Sequence, residues 1–95
     1  MMTAEQVKEK TKERIRVLAS EFILNNCGIP IQRAIDKGNF FASVPFDGKI
    51  VADANIELLG KEVVSQLQAK GFVAKHVYYD GPNGYDNYIL IKWED

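Results

Sequence analysis

The side chains able to do chemistry are few in this chain, and they are scattered. His76 is the only histidine and Cys27 the only cysteine. A two-histidine metal site or a histidine-assisted nucleophile would therefore have to be built around His76 alone. It lies within "AKHVYY", a strand-like run, and reads as a structural or exposed histidine. Cys27 precedes Gly28 at an expected helix end, where the C-terminal dipole disfavours a thiolate, so it reads as buried and inert. Asp80, Asn83 and Asp86 place three oxygen-bearing side chains in one loop, but without the alternation of a calcium-binding EF-hand. The glycines of "DGPNGYD" are followed by a strand pattern, whereas a phosphate cradle leads into a helix. These residues predict no enzyme, no metal and no cofactor.

The tyrosines are more suggestive. Tyr78, Tyr79, Tyr85 and Tyr88 crowd in and beside the same loop. A flat apolar face with a polar tip suits protein contacts or stacking on a nucleotide, although strands are tyrosine-rich in any case. They are the candidate contacts for a ligand or partner.

The elements that must position these residues are well marked. Thr3 and Gln6 have capping-box spacing, and Ala4, Val7, Thr11, Ile15, Leu18 and Phe22 form one stripe of a first helix. Glu5, Glu9 and Glu13 each precede a base by three residues, which marks a solvated face rather than a basic patch. Val17 and Leu24 lie off the main stripe, to be covered by the following segment or by another chain.

Gly28 is the expected stop of that helix, in the left-handed conformation, and Pro30 suits the start of another. "PIQRAIDKG" then predicts a short helix with Ile31, Ala34 and Ile35 inward and Gly38 as its end. "NFFASVPF" predicts a strand, with Pro45 placing it at an edge or ending it. Asp53 or Asn55 starts a further helix. It is buried through Ile56, Leu59, Val63 and Leu67, allows close approach at Gly60 and stops at Gly71.

Strands at about 72–79 and 87–93 complete a hairpin around Gly81, Pro82, Asn83 and Gly84. Ile89, Ile91 and Trp93 should face the helices, as should Phe72, Ala74 and His76. The fold class is α+β: an N-terminal helix, a short helix, a strand, a helix and a C-terminal β-hairpin. A small sheet has the helices packed on one face.

With 95 residues, the chain has material for a single domain, 1–95. A net charge of -1 argues against general nucleic-acid binding. No apolar run approaches a membrane span, the N-terminus lacks the apolar core of a secretory signal, and one cysteine allows no internal disulfide. A cytoplasmic location without membrane contact is expected.

From Ala34 to Trp93 the chain resembles small uncharacterised accessory proteins of tailed bacteriophages. The resemblance is carried by Gly38, Phe40, Val44, Leu67, Gly71, Phe72, Ile91 and Trp93, ending in an I-x-W pattern. These are helix stops and core positions, so the resemblance implies a fold and a context rather than an activity. That context is a non-enzymatic protein acting by protein–protein interaction on host machinery or host defence, in the host cytoplasm, often as an oligomer. The alternatives are an oligomeric binder that sequesters a signalling nucleotide, or a minor component of virion assembly. From the residues themselves, Val17, Leu24 and Ile31 are the expected surface of a homo-oligomer.

Overall fold

The computed structural model describes residues 1–46, 55–82 and 84–94, with the side chains at 79–81 and 84–86 outside the description. Helix α1 spans Ala4–Phe22. Its capping box is complete: the Gln6 amide donates to Thr3 Oγ1 at 3.2 Å, and the Thr3 amide donates to Gln6 Oε1 at 2.9 Å. The helix does not stop at Gly28. That residue is right-handed helical, with φ -61 and ψ -47, and a π-helical turn, Ile23–Cys27, carries the chain straight into α2, Gly28–Asp36. A looser turn re-aims the chain without breaking it, so the left-handed glycine expected here is not needed. Gly38 and Gly71 do take positive φ, 75° and 94°, and close α2 and the third helix.

The inward face of α2 is narrower than the sequence suggests. Ala34 is buried and Ile31 packs against the core, but Ile35 is 53% exposed. The buried line runs through Cys27, Ile31 and Ala34, and Ile35 falls just past its edge.

Strand β1 is Phe41–Pro45, β2 is Val73–Gly81 and β3 is Gly84–Lys92. The sheet order is β1-β3-β2, antiparallel throughout, so the last strand of the chain lies in the middle. Pro45, which has no amide hydrogen to give, ends an edge strand. The hairpin ladder runs further than the sequence suggests, to the pair Gly81 and Gly84, so most of "DGPNGYD" is strand rather than loop.

Alternation settles which face is inside. Ala42 and Val44 of β1, Ile89 and Ile91 of β3, and Ala74 of β2 are buried. Trp93 and Phe72 meet edge to face at 6.3 Å on the same side. Helix α3, Ile56–Ala69, is capped by Asn55, whose Oδ1 accepts from the Leu58 amide at 3.1 Å. It presses Leu59, Val63 and Leu67 into the core, and α1 packs on it through Ala19 and Phe22. Gln66 ties the two helices, accepting from the Ser20 hydroxyl at 2.9 Å and donating to the Arg16 carbonyl at 3.0 Å. Asp53, the other expected helix start, lies outside the described residues.

Candidate interaction surface

His76 is placed by the pairing of β2 with β3, which puts it opposite Ile89 and under α3. Its Nε2 lies 2.6 Å from Asn87 Oδ1. A carbonyl oxygen only accepts, so Nε2 carries the ring proton in this pair. In the neutral ring the lone pair is then on Nδ1, the atom that a side chain at Gly60 would meet first. Phe46 closes another side, edge to face at 5.0 Å. The arrangement clamps the imidazole between a helix, a strand and an aromatic ring, and turns its basic nitrogen towards backbone.

Cys27 is 2% exposed, and burial pushes its thiol up to about 11. The inert cysteine expected from the sequence is therefore held protonated by desolvation; no helix end lies at Gly28 to supply a C-terminal dipole. Among the described residues, no group of three or more His, Cys, Asp or Glu could hold a metal ion. Asp80, Asn83 and Asp86 have side chains outside that description.

The two tyrosines whose side chains are described, Tyr78 and Tyr88, lie on opposite faces of the sheet. Tyr78 is 54% exposed and stands on the side of His76, 6.3 Å from its ring. Tyr88 is half-buried and alternates to the opposite face, between Pro45 and Val77. The side chains of Tyr79 and Tyr85 lie outside the described residues.

Among the described residues, two open apolar areas involve α1. On the outer side of α1, Val17 is 43% exposed and Leu24, in the π-helical turn, is 80% exposed. Glu13, Arg16, Ser20 and Glu21 surround them. The second helix does not cover this pair, while Ile31 belongs with the core. The other area lies where α1 passes the start of α3. There an open groove of about 510 Å³ is floored by Met2, Val7, Ile15, Leu18 and Leu58. The periodicity of α1 announced this stripe but assigned it to the core; only its overhang past α3 leaves Val7 in the open.

No helix among the described residues is long and apolar enough to cross a membrane. No protein family, curated protein or solved structure matches this chain.

Proposed function

We propose that this protein is a non-enzymatic interaction module, a phage-type accessory protein that pairs with itself through α1 and acts on a protein of its host. The observation that carries the reading is the exposed pair Val17 and Leu24, seven residues apart, the first on the outer side of α1 and the second in the π-helical turn that continues it. Its rim holds both signs, with Arg16 beside Glu13 and Glu21, which suits a patch that meets itself across a two-fold axis. The resemblance to small phage proteins supports the choice of a host partner.

Magnitudes limit how tight the self-pairing is. Burying what remains exposed of the two side chains contributes roughly 2–4 kcal/mol per chain. Association itself costs on the order of 4–15 kcal/mol. The dimer is therefore weak and concentration-dependent. Light scattering over a concentration series should show monomer giving way to dimer. The double substitution Val17→Glu and Leu24→Glu should hold the protein monomeric with unchanged circular dichroism. A wild-type protein that stays monomeric at high concentration sinks the self-pairing.

A further inference from the structure

The stripe Ala4, Val7, Thr11, Ile15 and Leu18 continues the spacing of the core residue Phe22 outward along α1. Every residue before Ile15 is exposed, and Val7 is 46% exposed. The run from Ala4 to Arg14 is about 16 Å of helix with none of its residues buried. It is nevertheless preformed, by its capping box and by the ion pair of Lys12 Nζ with Glu9 at 3.7 Å.

The charges around the groove are one-sided. Lys10 and Arg14 line it, and among the described residues no acidic one does. At about 100° per residue, these two bases flank one border of the stripe and Lys8 and Lys12 the other. Glu5, Glu9 and Glu13 gather on the far side of the helix.

We infer that this groove docks an amphipathic helix of another protein, apolar on one face and acidic along its flanks. The apolar face lies over Val7, Ile15 and Leu58, and the flanking carboxylates meet Lys10 and Arg14 on one side and Lys8 on the other. A second copy of α1 is disfavoured here, because an antiparallel pair would set Lys10 and Arg14 against their own counterparts. A lipid surface is a poor occupant too. Interfacial helices present Trp, Phe or Leu, whereas this stripe offers Val7 and Thr11 before Ile15. The inference rests on reading the protein as an interaction module, but not on its self-pairing.

The probe is a synthetic 14-residue helix with leucines at i, i+3, i+7 and i+10, flanked by glutamates. A lysine-flanked version and vesicles containing phosphatidylserine are the other arms. Binding of the glutamate helix, read by anisotropy, should shift the amides of Val7, Thr11 and Leu58. The double variant Lys10→Glu and Arg14→Glu should weaken it about tenfold or more at low salt and come to prefer the lysine helix. Val7→Ser, which leaves the charges alone, should weaken it as well. Equal binding of both helices to the wild type overturns the proposal, as does indifference to these substitutions or binding of vesicles alone. Light scattering on the same samples separates the two surfaces. The groove variants should dimerise as the wild type does, and their loss of dimer would assign the groove to a second copy.

Discussion

Replacing glycine by alanine in a helix interior ordinarily stabilises a protein by about 1 kcal/mol. At Gly60 the opposite is expected. A Cβ there would overlap the His76 ring, which Asn87 and Phe46 hold from the other sides. Overpacking of this kind costs typically about 1–3 kcal/mol, enough to reverse the sign. Gly60→Ala should therefore lower the urea midpoint, and the same change in a His76→Ala background should raise it. A loss in both backgrounds would mean that the ring is not what Gly60 makes room for. Close approach at Gly60 was legible from a glycine on the buried face of a helix. What approaches was not, because His76 reaches it only through the register of a strand paired elsewhere. Cys27 gives a second expectation at this scale. Its thiol loses a proton at about 9.0 when unfolded and at about 11 when folded. Below that window the group contributes nothing. As pH rises through it, the unfolded chain sheds its proton first, and stability falls. Comparing urea midpoints of wild type and Cys27→Ala between pH 8 and 11 isolates this term: the advantage that the packed side chain gives the wild type should shrink as pH rises.

Among the elements, α3 is the one whose sequence pattern and structure agree most closely. Leu59, Val63 and Leu67 recur at helical spacing, and each is at most 1% exposed. Leu67→Ala should cost on the order of 2–5 kcal/mol, read as a shift in the unfolding midpoint. An unchanged midpoint would show that the cavity collapses without loss. The strands were legible for the same reason, since a period of two with Lys92 in water leaves Ile89 and Ile91 one place to go. The passage from α1 to α2 was not. Gly28 and Pro30 are punctuation in most chains, and nothing local distinguishes a glycine that stops a helix from one carried through a π-helical turn. Ile35 was misplaced in consequence, because the face of α2 depends on how that turn aims it. The hairpin was read short, because turn-forming residues mark where a ladder is able to end, not where it does.

At the scale of the molecule, the protein is elongated. Its radius of gyration is 14.9 Å and its extents are 54 × 35 × 21 Å. A compact chain of this length would have a radius of about 12 Å. The overhang of α1 is one visible departure from compactness, and the two apolar areas described above include residues of that helix. Neither the overhang nor the strand order was legible, since both depend on contacts between segments far apart in sequence. The central position of β3 has a consequence for how the protein is made. β1 is complete by residue 45, but among the described residues the strand that pairs with it, β3, ends only at residue 92. At about 5–20 residues per second, β1 waits several seconds with both edges unpaired. The hairpin of β2 and β3 then closes in microseconds, but capturing β1 requires shutting a long loop. The sheet is thus completed only once β3 has been made, and a ribosome that stops before β3 releases a chain whose first strand lacks the strand it pairs with.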